Sequence, residues 1–489
     1  MTSKRAPAPI LSPGRNCWRI ERAEKLTFVI DAEAYFAAVK EAVLQARHCV
    51  YLIGWDFDTR IRFEPEHQTL EGPNKLGPFL RWIDKNRPNI EVYVLKWDLG
   101  VIQALGRGTT PLAVLNWLTS ERIHFKLDGA HPKAAAHHQK IVVVDDALAF
   151  CGGIDMTADR WDTREHLDDD PRRKRPSGRS YGPWHDASTM VDGEVARALG
   201  DLARERWRRA SGEALEPPPP RSPIWPNGIV PTFTGIDVAI ARTQPEYDGE
   251  EEVREIEAFL LDAIASARTA IYWESQYFAC RRIVEAMAER LQERDGPEIV
   301  IINPKSADGF LEAATMDTAR ARLLRLIDKA DRHGRFRIFT PVTKNRQPIY
   351  VHAKILIVDD RLLRVGSSNI NNRSMGFDTE CDLIVEAAPD REDSASLRAM
   401  IITVRDDLLA EHLGTKAARV SEGVARERSL ARAIDSMLTN TKSLVPYEPD
   451  EPALIEEALA ESELLDPERP PSFTKKMSDR LRFRRPVMR

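Results

Sequence analysis

The two stretches His138-Gln-Lys140-Ile-Val-Val-Val-Asp145 and His352-Ala-Lys354-Ile-Leu-Ile-Val-Asp359 decide the fold of this chain. Each contains a histidine, a lysine two residues later and an aspartate five residues after the lysine. Six residues then separate the aspartate from a glycine, Gly152 or Gly366. At average composition a given histidine meets this lysine and aspartate by accident about once in 300, so two copies indicate a duplicated unit.

A second pair of matching segments extends the duplication toward the N-terminal side of both motifs. Glu41-Ala-Val-Leu-Gln-Ala-Arg-His-Cys-Val-Tyr51 aligns without a gap with Asp262-Ala-Ile-Ala-Ser-Ala-Arg-Thr-Ala-Ile-Tyr272. Both segments have the pattern of a helix end that runs into an apolar strand. A single repeat of such long period indicates two homologous halves rather than a solenoid.

Strand and helix patterns follow in the same order in each half. The apolar runs that predict strands are Val50 to Ile53, Ile90 to Leu95, Ile123 to Leu127 and Ile141 to Val144, then Glu298 to Ile302, Phe336 to Phe339 and Ile355 to Val358. Helices are predicted for Leu112 to Ser120 and Ala319 to Ala330. The strands that follow the two lysines are apolar on both faces, as expected inside a sheet covered by helices. We therefore predict an α/β fold of two homologous α/β/α sandwich halves packed about a pseudo-two-fold axis.

Composition shifts divide the chain into four parts. The first half is residues 1–215, and the proline-rich linker 216–236 joins it to the second half, 237–415. The tail 416–489 is acidic and then basic, and it is expected to be helical or disordered. Within the first half, His166 to Tyr181 has the charge and proline content of a long loop.

Overall composition bounds the partners and the compartment. The 489 residues carry a net charge of −5, from 71 basic and 76 acidic side chains, so no nucleic-acid partner is expected. The five scattered cysteines fit buried free thiols in a reducing compartment. The N-terminal residues lack the apolar core of a signal peptide, and no run of 18 apolar residues occurs. We expect a protein that is cytoplasmic or peripheral at the membrane, with signal-independent secretion left open.

The spacing of the two motifs has a chemical reason. Residues i and i+2 of an extended chain face the same side, so His138 lies with Lys140 and His352 with Lys354. Such pairs suit a phosphodiester, because an imidazole can react while a fixed positive charge holds the non-bridging oxygens. About a pseudo-two-fold axis, both pairs would converge on one phosphate. The aspartates that end the motifs have the opposite parity and are expected to be structural anchors, and the small residues Gly152, Gly153 and Gly366 would let neighbouring chain approach closely.

Together these residues resemble the paired motifs of the phospholipase D superfamily, in particular bacterial phospholipases D. The resemblance includes Pro183 to Asp186, Ile271 to Phe278, Gly366 to Met375 and Glu411 to Gly414, and it covers roughly residues 10 to 415. It implies a phosphodiesterase that uses no metal and no cofactor and works through a phosphohistidine. Family precedent favours the N-terminal histidine of the pair as the nucleophile and the other as general acid and base; the sequence alone does not assign the roles.

The resemblance also implies a set of supporting residues. Family members hold each catalytic histidine with a carboxylate from further along the chain. Glu380 matches that position for the second half, and Asp186 is the candidate for the first. Asp155 stands in the first half where the second has Asn369. The remaining candidates are the small residues next to the motifs, Gly153 and Ser367.

The leading functional hypothesis is a phospholipase D that releases the headgroup of glycerophospholipids such as phosphatidylcholine at a membrane surface. A transphosphatidylase of the cardiolipin synthase type, or a nuclease, would use the same site and remains the alternative. A non-enzymatic lipid-binding protein is disfavoured, because all six motif positions are intact. Since both half-sites lie in one chain, a monomer is expected to hold a complete site.

Overall fold

A computed structural model describes residues 9–98, 120–309, 313–389, 391–449 and 466. Its strands are β1 Arg19–Ile30, β2 Cys49–Gly54, β3 Glu91–Trp97, β4 Ile123–Asp128, β5 Ile141–Val144, β6 Leu148–Gly152, β7 Trp184–His185, β8 Ala187–Asp192, β9 Phe233–Gln244, β10 Val253–Arg254, β11 Ala270–Glu274, β12 Glu298–Ile302, β13 Phe336–Val342, β14 Tyr350–Val351, β15 Ile355–Val358, β16 Leu362–Gly366, β17 Glu380–Glu386 and β18 Ser443–Pro446. Its α-helices are α1 Asp31–Leu44, α2 Leu76–Asn86, α3 Gly193–Ser211, α4 Glu255–Ser266, α5 Arg281–Gln292, α6 Thr318–Ala330, α7 Asn372–Gly376, α8 Ser394–His412, α9 Ala417–Glu427 and α10 Leu430–Met437.

One mixed sheet of 16 strands runs through both halves. Its order is β18-β13-β12-β11-β15-β16-β17-β9-β1-β8-β6-β5-β2-β3-β4, with β10 beside β9. The long strands β1 and β9 pair antiparallel in the middle, and the strands on either side of them follow in matching order. In each half the three outer strands of the repeat are parallel and the inner ones antiparallel. The structure thus confirms the two-half α/β fold and joins the two sheets into one.

Helices cover both faces of this sheet. Side chains alternate between the faces, so that Val50 and Leu52 of β2 pack toward α1 and α2, whereas Tyr51 and Ile53 pack into the core on the other side. In the second half α4, α5 and α6 take the place of α1 and α2. The opposite core is continuous across both halves and includes α3 and α8 to α10. Each face therefore has a buried apolar layer, as the doubly apolar motif strands predict.

The domain limits predicted from composition need two corrections. Strand β9 begins at Phe233, so the last residues of the proposed linker 216–236 belong to the central pair of strands. Strand β18, within the proposed tail 416–489, pairs antiparallel with β13 at the edge of the sheet. It was missed because four residues ending in proline carry little strand signal. The predicted helix Leu112 to Ser120 lies outside the described residues except for Ser120, as does most of the tail beyond residue 449.

The aspartate that ends each motif fastens its strand to a neighbouring one. The Asp145 carboxylate accepts hydrogen bonds from the backbone N–H groups of Arg47, His48 and Cys49, at 2.7 to 2.8 Å. Asp359 accepts from Arg268, Thr269 and Ala270 in the same way, at 2.7 to 2.9 Å. Both aspartates follow the strand with a positive φ, near 53° and 56°. These contacts agree with the anchoring role that strand parity predicts.

The cysteines and the helices bear on the compartment. All five cysteines are free and buried, as the sequence predicts. Among the described helices, none combines the length and the apolar character needed to cross a membrane.

The anchoring contacts predict a selective loss of stability. Replacing Asp359 with Ala leaves three backbone N–H groups at the start of β11 without their acceptor, so the free energy of unfolding should fall by about 3 kcal/mol. The neighbouring Asp360 makes only a half-exposed ion pair with Arg398, and Asp360→Ala should cost less than about 0.5 kcal/mol. Chemical denaturation of both variants measures the difference. Equal losses would contradict the anchoring role.

Candidate active site

The chain leading into each motif strand pairs with a segment of the opposite half. The backbone N–H of His138 donates to the carbonyl of Thr379 at 2.9 Å, and that of His352 donates to the carbonyl of His185 at 2.7 Å. The second contact continues the short parallel pair β7–β14. These hydrogen bonds place both motif histidines at the contact between the two halves. We call this contact the seam; in it, the residues before each motif strand lie beside a segment of the opposite half.

At the seam, each motif histidine contacts a carboxylate of the opposite half rather than one of its own half. Nδ1 of His138 lies 3.0 Å from the carboxylate of Glu380, which belongs to the second half. Nδ1 of His352 lies 2.6 Å from Asp186, which belongs to the first. The assignment of Glu380 to its own half and of Asp186 to its own half is therefore wrong. The physical reason is local: each carboxylate directly follows the residue whose carbonyl binds the opposite histidine backbone.

These contacts fix the tautomer of each imidazole. An ionised carboxylate can only accept hydrogen bonds. With Glu380 and Asp186 ionised, Nδ1 of each ring is therefore the donor, and Nε2 of the neutral ring keeps its lone pair. Glu380 is itself held by the hydroxyls of Ser367, at 2.5 Å, and Ser374, at 2.7 Å. Burial raises the pKa of Glu380 to about 7 and also raises the pKa of Asp186.

Each motif lysine is folded back toward its own histidine. Nζ of Lys140 donates to the carbonyl of His138 at 2.8 Å and forms an ion pair with Asp155 at 3.3 Å. Nζ of Lys354 donates to the carbonyl of His352 and lies 3.3 Å from the side-chain oxygen of Gln276. Asp155 therefore neutralises one lysine, whereas the other faces an uncharged amide.

The electrostatics of the seam favour an anion. Burial, followed by the charges of Lys140 and Lys354, holds the pKa of His138 well below its usual range. The pKa of His352 is lowered in the same way by burial, by Lys354 and by Arg160. Burial lowers the pKa of Lys354 to about 7. Two neutral imidazoles thus lie among cations that a bound phosphate would stabilise.

Two glycines allow carboxylates to pack closely against the backbone next to the motifs. A Cβ on Gly153 would lie 2.2 Å from the carboxylate oxygen Oδ1 of Asp186, and one on Gly366 would meet the carboxylate of Asp382. Asn369 donates its backbone N–H to the hydroxyl of Ser374 at 3.0 Å, and among the described residues its buried side-chain oxygen has no hydrogen-bond partner. The candidates Gly153, Asp155, Asp186, Ser367, Asn369 and Glu380 therefore all lie at or beside the seam, whereas Asp145 and Asp359 lie at the far ends of β5 and β15.

Sequence reasoning missed three residues beside His352. The indole of Trp184 packs against that imidazole with 5.3 Å between ring centroids, and Arg160 lies over the indole at 4.3 Å. The third is Gln276, which contacts Lys354. Trp184 and Gln276 lie in segments that carry the family resemblance, but spacing alone gives them no role.

A second buried cluster, of acids and histidines, lies next to the seam. One ligand atom from each of Asp31, His166, His185 and Glu411 lies within 4.8 Å of the others. Although burial lowers it, the pKa of His166 is raised to about 9 by Asp31 and the other carboxylates around it. Protonated imidazoles therefore balance the acids here, and the same four donor atoms could instead hold a divalent cation. The cluster holds His185, whose carbonyl binds the backbone of His352.

Because each histidine is paired with a carboxylate of the opposite half, a change of either carboxylate should impair the histidine of the other half. Glu380→Gln should impair His138, and Asp186→Asn should impair His352, because an amide can donate to Nδ1 and place the wrong tautomer on the ring. Each change should lower turnover by roughly 10³-fold or more. A diester with an activated leaving group needs no general acid, so it should rescue Asp186→Asn but not Glu380→Gln. Rescue of Glu380→Gln alone would contradict the pairing.

Lys354 and Glu380 predict a pH dependence of anion binding. Below about pH 7 the lysine is charged and the glutamic acid is neutral, so the site is more positive and should bind an anion more tightly. The inhibition constant of a dialkyl phosphate, which keeps one negative charge, should rise between about pH 6 and about pH 9. Lys354→Arg stays charged and should rise less. A flat profile for the unchanged protein would contradict the two pKa directions.

Comparisons with known proteins find relatives of both halves. Residues 42–217 match the family described as phospholipase D, and residues 260–399 match the family described as cardiolipin synthase, PLD-like domain. Phospholipase D A of Dictyostelium discoideum is 23% identical over 454 residues, which are 79% of this chain and 35% of that protein. Phospholipase D alpha 1 of Carica papaya is 24% identical over 512 residues, which are 77% of this chain and 63% of that protein. The chain therefore spans between about a third and two thirds of the length of these relatives, which are eukaryotic, and the bacterial subgroup stays a prediction.

A solved structure supports the same fold. The phosphatidylserine synthase of Haemophilus influenzae superposes with a TM-score of 0.52, covering 85% of this chain and 95% of that one at 14% identity. Each matched family region contains one of the two histidine–lysine motifs, at 138–145 and 352–359. Sequence, fold and comparisons therefore agree that this chain belongs to the phospholipase D superfamily.

Proposed function

We propose that this protein is a phospholipase D that hydrolyses the headgroup phosphodiester of glycerophospholipids to phosphatidate and a free alcohol. The observation that carries the proposal is the pair of neutral imidazoles, each fixed through Nδ1 by a carboxylate of the opposite half. Two nucleophilic Nε2 atoms with fixed lysines beside them suit a phosphodiester and a covalent intermediate. The matches to proteins named phospholipase D support a phospholipid as substrate.

In the first step, Nε2 of His138 attacks phosphorus while the bond from phosphorus to the headgroup oxygen breaks. His352, which takes up a proton at Nε2 when the substrate anion binds, gives that proton to the oxygen, so the headgroup leaves as an alcohol rather than an alkoxide. Glu380 and Asp186 stabilise the imidazolium that each ring becomes in turn. Lys140 and Lys354 hold the non-bridging oxygens, whose negative charge raises the proton affinity of His352.

In the second step, water takes the place of the headgroup alcohol. His352 accepts a proton from the water, whose oxygen attacks phosphorus, and the bond from phosphorus to Nε2 of His138 breaks. Phosphatidate leaves and both imidazoles return to their starting states. All of these proton transfers use side chains of this chain.

Transfer to an alcohol is the second candidate function. An alcohol that enters in place of water would accept the phosphatidyl group from the same intermediate. The match of the second half to a family described as cardiolipin synthase, PLD-like domain, favours this candidate over a nuclease. A nuclease is further disfavoured by the net charge of −5.

We expect the protein to act as a monomer that meets its substrate at a membrane surface. Both motif histidines and both of their carboxylates come from one chain, so a second copy is not needed to complete the site. A cytoplasmic or peripheral location, with signal-independent secretion as an alternative, stays a prediction.

The proposal predicts headgroup release from mixed phospholipid vesicles and no cleavage of DNA. His138→Ala and His352→Ala should each lose nearly all turnover, because nucleophile and acid act as a unit. With a labelled diester whose leaving group needs no protonation, His352→Ala should still trap a phosphohistidine and His138→Ala should not. Peptide mapping after a quench without acid locates the label.

Two results would contradict the proposal in different ways. Label on His352 in the His138→Ala variant would reverse the two roles while leaving the shared site intact. DNA cleavage without headgroup release would replace the phospholipase by a nuclease.

A further inference from the structure

Arg160 is a buried cation whose charge reaches the proposed general acid. Its side chain is 7% exposed, and its guanidinium carbon lies 4.3 Å from the ring centroid of Trp184. Trp184 in turn packs against His352 and stacks on Tyr350 with 4.5 Å between ring centroids. The charge of Arg160 contributes to the lowered pKa of His352. The guanidinium therefore lies on the His352 side of the seam.

The carboxylates that flank Arg160 in the chain, and Asp186, pair with other donors. Asp159 pairs with Arg175 at 2.8 Å, and Asp162 pairs with Arg173 at 3.1 Å. Asp186 accepts hydrogen bonds from His352 and from the backbone N–H of Ala187. Within the described residues Arg160 has no ion pair or hydrogen bond, and its Nε is buried without a partner. A mostly buried arginine whose guanidinium makes no ion pair is costly, which points to a ligand that supplies an anion.

The position of Arg160 indicates which part of the substrate would carry the anion. In an in-line displacement the leaving group departs opposite the nucleophile and beside the general acid. With His138 as nucleophile, the headgroup lies on the side of His352, Trp184 and Arg160. The non-bridging oxygens already have Lys140 and Lys354, which lie next to the two imidazoles.

The same arrangement disfavours a choline headgroup. A quaternary ammonium is recognised over an aromatic face by a cation–π contact. The indole of Trp184 already carries the guanidinium of Arg160 and stacks on Tyr350, and it is 6% exposed. A choline in this position would meet a like charge in place of an open ring.

We propose that Arg160 binds a second anionic group on the headgroup, so that the preferred substrates are phospholipids whose headgroup carries a carboxylate or a phosphate. The inference rests on the proposed phospholipase D activity and names its substrate class. The planar fork of the guanidinium suits two oxygens of one carboxylate or phosphate.

Short-chain lipids below their micelle concentration test this selectivity without a charged surface. The headgroups would be serine, which carries a carboxylate; inositol 4-phosphate, which carries a phosphate; glycerol, which is neutral; and choline, which is cationic. The protein should favour the first two in kcat/KM. Arg160→Gln should lower kcat/KM for the anionic headgroups about 10- to 100-fold more than for the other two, whose loss reports the effect of the charge on His352. Arg160→Lys keeps the charge and should retain part of the preference.

Arg179→Gln is the matched control, because Arg179 is an exposed arginine of the same loop and its loss changes net charge equally. It should leave the substrate order unchanged. If Arg160→Gln does not fold, the unchanged protein still decides the point, since phosphoserine should inhibit more tightly than phosphocholine. Preference for choline, or an equal loss on all four headgroups in Arg160→Gln, would overturn the inference and leave phospholipase D activity intact. Release from none of the four would contradict the proposed function, and the inference would fall with it.

Discussion

The crossed contact between each motif histidine and a carboxylate of the other half is the constraint on which the rest of the structure depends. Burying a carboxylate costs several kcal/mol unless a donor compensates it. Glu380 and Asp186 are fully buried, and each finds an imidazole only across the seam. Each half supplies part of the hydrogen bonding of its own buried acid, from Ser367 and Ser374 to Glu380 and from the backbone of Ala187 to Asp186, and the imidazole comes from the other half. The continuous sheet through β1 and β9 holds the halves in the register that this exchange requires.

The charges around the two histidines suit a bound anion. Lys140 has Asp155, but Lys354 faces an amide and burial lowers its pKa to about 7. The two imidazoles are held neutral by the same burial and the same cations. A phosphodiester anion would relieve this imbalance, and the cations would need no rearrangement as negative charge develops. Burial destabilises the charged form of Lys354, and a bound anion would stabilise it.

The two-half fold and the grouping of the motif residues could be predicted from the sequence, because both follow from the spacing of residues along the chain. The repeat predicted two halves, and parity separated His138 and Lys140 from the anchoring Asp145. The carboxylate pairing could not be read in this way, because it depends on which backbone segments pair across the seam. Arg160 has no counterpart in a second-half motif, so its role depends on a contact with Trp184 that only the fold creates.

The departures from two-fold symmetry give the two histidines different environments. On the side of His138, two serine hydroxyls hold Glu380, and Asp155 neutralises the lysine. On the side of His352, Nζ of the lysine contacts an amide oxygen and a backbone carbonyl, and Arg160 adds a further positive charge. Negative charge on a leaving oxygen is better stabilised on the more positive side. This asymmetry gives the scaffold a direction, which agrees with the proposed departure of the headgroup beside His352 and the proposed covalent bond on His138.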